Sequence, residues 1–505
     1  METQTLVLLV LGALSLIILG CVQTVFRKGL RNIPGPFWAR LSSLYRVTMV
    51  RRGDGVQNYI ALHEKYGPVV RTGPFHVSVA DPQVVPLVYG IASKFRKSGF
   101  YSLSVPFYEG KPLDNMFTAV EPGLHRALRA PTVQVFSMTN LRNYEKPIDE
   151  CTEILMRMLH KVDGQVVDYT EWFQWYAFDV ISSITFQSRL GFLEKMGDVD
   201  EMFEGSHTFA YYFAVFGQLP WLHPYLLGNQ LLLKVMTMLF PDAPDPTGKL
   251  FTNIEREIQR YDQEEKLSDR KDFLSQLRAK DDPDREGHKR DLMNSLSNNI
   301  LAGSETTAIS LRSIFYFLTK TPRAYKTLIN DIIEAQRAGH LSAVIKYDEA
   351  QKLPFLQAVI KEALRLHAPT CFPLERIVPA EGTQIGGYFV PGGCVISTMA
   401  PLMNKNKDIF GTDAEEYRPE RWLNQDPERL KLMERTFLTF GHGSRSCIGK
   451  NIALLEITKL VPQILREFDV SWASPKKEWT TESYWFCMQK DVVFRFTSRD
   501  GRAEA

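Results

Sequence analysis

The chain has 505 residues, with 60 Lys and Arg against 58 Asp and Glu, a formal net charge of +2. That balance gives no electrostatic reason to expect a nucleic-acid partner, which calls for a concentrated basic face. Six cysteines (Cys21, Cys151, Cys371, Cys394, Cys447, Cys487) lie far apart without CxxC-type spacing, which argues for a reducing compartment and against a disulfide framework.

From Gln4 to Phe26 no charged residue occurs and Leu, Val and Ile dominate; Arg27, Lys28 and Arg31 then arrive together. About twenty apolar residues suffice to cross a bilayer as a helix. A cleaved signal peptide would carry its charge ahead of the apolar core, whereas here Glu2 precedes it and the basic cluster follows. The expectation is a transmembrane anchor over 4–26, with the remainder on the cytosolic side by the positive-inside rule. A basic, Pro-rich hinge over 27–40 follows, built on Ile33-Pro34-Gly35-Pro36, whose prolines stiffen it. The main globular body is expected over 41–505.

Within that body, Val69 to Arg71 and His76 to Val79 flank Gly73-Pro74 and read as a β-hairpin. Most later segments read as helix. His125 and Arg129 stand four apart, on one face of a helix, which Pro131 is expected to end early. The aromatic run Trp172 to Ile181 reads as core packing rather than a binding box. Tyr211, Tyr212, Phe213, Phe216, Pro220 and Trp221 form a second aromatic cluster before a Leu- and Pro-rich loop. Arg256 to Asp291, with Asp281-Asp282-Pro283-Asp284, is densely charged and reads as solvated helix and loop.

A long helical run from about Asp291 to Lys320 contains Ala302-Gly303-Ser304-Glu305-Thr306-Thr307. β-Branching and threonine hydroxyls that compete for backbone carbonyls make this poor helix material, so a chemical use is the better reason for it. Ala302 and Gly303 leave room beside the helix, Thr306 can hold a water, and Glu305 can pass protons. Further on, Glu362 and Arg365 share a helix face, and a buried pair of that kind needs a further partner; Arg421 in Tyr417-Arg418-Pro419-Glu420-Arg421-Trp422 can supply it. Pro373-Leu374-Glu375-Arg376 adds another cation.

The stretch Phe440 to Lys450 reads FGHGSRSCIGK and is followed at once by an apolar helical run. A thiol at a helix N-terminus feels free amides and the positive end of the dipole, so Cys447 is expected to ionise at lower pH than an ordinary cysteine. Gly441, Gly443 and Gly449 remove side chains where the backbone turns and a flat ligand approaches. Phe440 can shield the sulfur, and Arg445 offers a cation.

Filled at every fixed position by Phe440, Gly443, Arg445, Cys447 and Gly449, the pattern FxxGxRxCxG resembles the haem-binding loop of the cytochrome P-450 monooxygenases. The acid-Thr helix, the Glu362/Arg365 pair and the Arg421 element resemble that family's other motifs, in the same order, and the wording is nearest to fungal microsomal members of secondary metabolism. The resemblance implies a mainly α, single large P-450 fold with a small β-rich region, preceded by one N-terminal transmembrane helix. It implies haem b with Cys447 as the iron's axial ligand. Propionates would be held by Arg129, Arg376, Arg445 and His125, with Phe440, Gly441, Gly449 and Ala302 also lining the cofactor. Glu305 and Thr306 become the catalytic pair, and Glu362, Arg365 and Arg421 a structural clamp.

No GxGxxG segment beside a βαβ pattern occurs, so electrons are expected from outside the chain; the resemblance implies NADPH as their source through a separate NADPH-cytochrome reductase, with cytochrome b5 as a further donor, at the endoplasmic reticulum membrane. The expected reaction is oxidation of an apolar terpenoid, polyketide, indole or peptide-derived intermediate. Two alternatives stay open: a haem-thiolate isomerase or dehydratase that does not activate oxygen, and a non-enzymatic haem sensor.

Overall fold

The computed structural model describes residues 2–240, 245–263, 270–279 and 287–499; the acidic run at 281–284 lies outside the described residues. The architecture is mainly helical and is built around one 33-residue helix, His288–Lys320. Ala308, Ile309, Leu311, Ile314, Phe315 and Leu318 on it are all fully buried, so its C-terminal half lies inside the body. It packs along Trp172–Phe186, whose 15 residues are all buried, with Phe173 stacked on Phe315 at 5.3 Å between ring centroids. The aromatic run is therefore core. Gly303 belongs to the same contact: a Cβ there would come within 2.9 Å of Ile181 Cδ1. It lets the two helices close on each other and faces away from the open side, where the sequence reading had placed it.

The expected hairpin forms: Val69–Arg71 and His76–Val79 pair antiparallel with Val69 opposite Val79. It opens a five-stranded sheet completed by Val395–Ser397, Arg376–Ile377 and Arg96–Lys97. The last pairing sets Lys97 directly opposite Arg376. Like charges facing each other across two strands are destabilising, so this edge calls for an anion.

The Pro-rich segment is docked, not free. Leu30 and Ile33 are fully buried in the core of that sheet, and Arg71 N donates to Pro34 O at 2.7 Å. The Arg71 guanidinium donates to Thr24 O at 2.6 Å and to Leu30 O at 3.4 Å. Residues Glu2–Val25 form a helix in which several side chains lie outside the described residues. Among the described residues no helix is long and apolar enough to cross a membrane, so the span expected over 4–26 is not supported as one.

The helix Pro122–Val133 continues through Pro131 instead of ending early. Only two residues follow the proline, so its missing N–H removes a bond in the last turn alone. The second aromatic cluster lies on Met202–Phe216 and the 3₁₀ turn Pro220–Tyr225, where Trp221 and Tyr225 are exposed.

Candidate active site

The cysteine loop is closed by its own backbone. Cys447 N donates to Phe440 O at 2.8 Å and Gly441 N to Leu438 O at 2.9 Å. Gly441 and Gly443 sit at φ of +68° and +63°, and a Cβ on Gly443 would lie 2.1 Å from Tyr89 O, so only glycine fits there. Gly449 differs from the expectation: it caps the helix Lys450–Glu467 at φ −80° and needs no special backbone. Its missing side chain instead leaves space about 3.9 Å from Cys447 Sγ.

Cys447 precedes this cap and receives the amides of Gly449 and Lys450. Burial nevertheless pushes its thiol above the ordinary value, against the pull of those amides and of Arg129 and Lys450. The expected depression by the helix end is outweighed by desolvation, and a thiolate here needs a bound cation such as a metal. Although deep in the body, Cys447 is exposed, so its accessible surface faces interior space. Leu301 and Ala302 are likewise exposed in mid-helix, beside fully buried Ile300 and Ser304.

Basic groups converge on the same loop. Arg445 donates to Ala119 O at 2.7 Å and to Val120 O at 3.3 Å. Arg129 donates to Ser446 O at 3.0 Å. Arg376 donates to Tyr101 Oη at 3.1 Å, and Lys97 to Phe117 O. Burial and the charges of Arg376 and Arg129 lower Arg445 to about 10. Burial and then Arg445, Arg129, Lys97 and Arg376 lower His125 to about 4, so His125 is neutral at physiological pH. Burial, Arg376 and Arg445 bring Lys97 well below its usual range. Among the described residues no carboxylate offsets Lys97, Arg129 or Arg445. Lys97 carries no local sequence signal; only strand pairing brings it beside Arg376.

Behind the loop, Arg365 donates to Glu362 through Nε and Nη2, both at 2.8 Å, and Arg421 Nε donates to Glu362 Oε1 at 3.0 Å. Trp422 Nε1 adds a bond to Oε2 at 2.9 Å. All three charged groups are buried. Arg365 reaches onward to Asn404 O at 2.8 Å. Asn404 in turn accepts from Leu438 N at 2.8 Å and donates to Thr439 Oγ1 at 2.8 Å. The clamp is thus tied to the chain just before Phe440 through Asn404, a residue the motifs do not reveal.

On the central helix, Thr306 Oγ1 donates to Ala302 O at 2.9 Å. Glu305, one residue and so about 100° further round, is 2% exposed. Its Oε1 lies 3.5 Å from Arg312 Nη2, and its Oε2 accepts from Gln174 Nε2. Burial raises its carboxyl above the usual range against the pull of Arg312, His207 and Gln174.

A planar, doubly anionic group with a metal at its centre fits these donors: a sulfur facing interior space, an open helix face, and basic side chains without carboxylates. Body and site together define a protein of the haem-thiolate class. A family model described as cytochrome P450 matches residues 34–493, and the chain belongs to that family. It is 37% identical over 481 residues to the cytochrome P450 monooxygenase cicH of Emericella nidulans, covering 94% of this chain and 95% of that protein. It is 36% identical over 457 residues to a cytochrome P450 monooxygenase of Aspergillus terreus, covering 89% and 92%. The chain is an oxygen-incorporating oxidoreductase whose cofactor is haem bound through a thiolate, and its family commonly draws NADPH electrons through a reductase.

Proposed function

We propose that the protein hydroxylates or otherwise oxidises an apolar small molecule, a fungal secondary-metabolite intermediate of terpenoid, polyketide, indole or peptide origin. Cys447 binds the iron, and Arg129, Arg376, Arg445 and Lys97 hold the propionates, with His125 as a further donor. When bound, haem supplies reductive activation of O2 and insertion of one oxygen atom into a substrate C–H bond. Around it, Thr306 positions a water through its hydroxyl and Glu305 supplies protons. Glu362, Arg365 and Arg421 keep the cysteine loop in place.

The observation that carries this reading is that Arg129 and Arg445 sit at the loop of Cys447 with Lys97 and Arg376 beside Arg445, and that among the described residues no carboxylate offsets Lys97, Arg129 or Arg445. The apolar substrate is supported by Phe100, Tyr101, Phe117, Phe213, Phe372 and Trp485, whose rings pack on one another at 4.2–6.4 Å between centroids. Incubating the protein and an NADPH-cytochrome reductase with metabolite extract, followed by mass spectrometry, tests it. A compound is expected to gain one oxygen atom; no NADPH-dependent product from any extract counts against the reading.

Thr306→Ala is expected to keep NADPH consumption while diverting most of the electrons to hydrogen peroxide. An unchanged peroxide yield removes Thr306 from its role. Lys97→Met is expected to speed haem transfer to a scavenging apoprotein by about tenfold, the loss of one charge-assisted bond of roughly 1.5 kcal/mol. A transfer rate equal to the parent's assigns Lys97 to packing.

We also place the protein at the endoplasmic reticulum membrane, with its N-terminal helix as anchor and cytochrome b5 as a second electron donor. Support comes from the uncharged run 4–26 ahead of Arg27, Lys28 and Arg31. A form lacking residues 1–26 is expected to pass from the membrane to the soluble fraction on cell breakage. If the full chain is soluble too, the anchor is disproved.

A further inference from the structure

Glu305 is buried, yet it lines a cavity shared with Ser206, His207 and Ala210 of the helix Met202–Phe216 and with Glu482, Tyr484 and Met488 of the strands Thr480–Ser483 and Cys487–Lys490 and their turn. His207 is exposed, so the cavity joins a solvent-facing imidazole to a carboxyl on the oxygen-activating helix. The other groups facing Glu305 are poor proton donors. Gln174 does not titrate. Arg312 is fully buried with an unpartnered Nη1, and arginine does not give up its proton in proteins. Of the groups at the mouth, Glu482 is paired with Lys490 at 2.7 Å, and burial and Glu482 push Tyr484 up to about 12. Histidine is the side-chain type that both takes up and releases protons near neutral pH.

We propose that His207 is the solvent-side proton donor to Glu305, acting through the cavity between them. The proton on an imidazolium nitrogen passes to a Glu305 carboxylate oxygen, directly or across one water, and neutral His207 is reprotonated from bulk solvent. Glu305 then releases that proton toward Thr306. One proton moves per pass and no electron does; incorporating one atom of O2 while reducing the other to water takes two passes. His207 is thus a positioning residue, acting through Glu305, and the inference rests on the oxygen-activating role proposed for Glu305 and Thr306. It also gives Arg312 and Gln174 a purpose, since they hold the carboxyl in reach of the cavity.

The test uses the haem-loaded full chain with O2 as the probe. In His207→Gln, NADPH-driven O2 consumption with a reductase is expected to fall at least about tenfold, within the range of general acid–base assistance. The alkaline limb of its pH profile, where the imidazolium donor is lost, disappears and its solvent isotope effect rises, while haem content and the CO-complex spectrum stay those of the parent. The proposal is overturned if His207→Gln keeps the parent's rate of O2 consumption, pH profile and isotope effect. The two readings separate through Thr306→Ala: a raised peroxide yield there with a silent His207→Gln removes only the His207 relay. An unchanged yield in Thr306→Ala removes the oxygen-activating reading and the relay with it.

Discussion

Cys447→Ser is expected to leave a folded protein that no longer shows the red-shifted Soret band of a thiolate-ligated CO complex and no longer turns over. The substitution is nearly isosteric, and the loop is closed by the Cys447 backbone, which donates to Phe440 O at 2.8 Å, so local structure has little reason to change. A serine hydroxyl, however, is far harder to ionise than a thiol. The amides of Gly449 and Lys450, with Arg129 and Lys450, only partly offset the burial that already pushes the thiol up; they cannot hold an alkoxide near neutral pH. Without an anionic sulfur the iron loses the electron donation that favours O–O cleavage. Absorbance of the reduced, CO-treated protein and circular dichroism check both halves of this expectation. A serine variant that keeps both the band and NADPH-driven oxygenation rules out Cys447 as the ligand.

Glu362→Ala is expected to have the largest effect on stability. Glu362 accepts from Arg365 Nε and Nη2, Arg421 Nε, Trp422 Nε1 and Arg418 N, at 2.8–3.1 Å. Removing it leaves two buried guanidinium groups without their shared anion. Breaking a buried pair in this way costs about 3–5 kcal/mol, against a total stability of roughly 5–15 kcal/mol. Because Arg365 also holds Asn404, which holds Leu438 and Thr439, the damage reaches the cysteine loop. Purified Glu362→Ala should therefore melt markedly lower and carry substoichiometric haem. Glu362→Gln, which keeps one oxygen acceptor, should fall between it and the parent. Unchanged melting and haem content in Glu362→Ala rule out the clamp.

Much of this was readable along the chain because it depends on short spacings. A cysteine two residues from an arginine, a threonine after an acid, and a glutamate three residues before an arginine each place groups by local geometry alone. The long helix was legible for the same reason, and so was the buried aromatic run, since a segment so dense in aromatic and aliphatic side chains favours the core. Local spacing misled where the balance was set elsewhere. Gly303 faces Ile181, a contact supplied by another helix. The thiol of Cys447 is raised because the desolvation around it comes from the whole body, not from the helix end.

Sequence by itself therefore determined the class of chemistry: a thiol loop, an acid and an alcohol on one helix, and the charged residues of the clamp. Only the tertiary structure decided that Lys97 lies opposite Arg376, that Asn404 links the clamp to the loop, that Gln174 and Arg312 grip Glu305, and that His207 shares its cavity. Each of these joins residues brought together by strand pairing or helix packing. No local periodicity encodes such contacts, because they depend on where separate elements come to rest against one core.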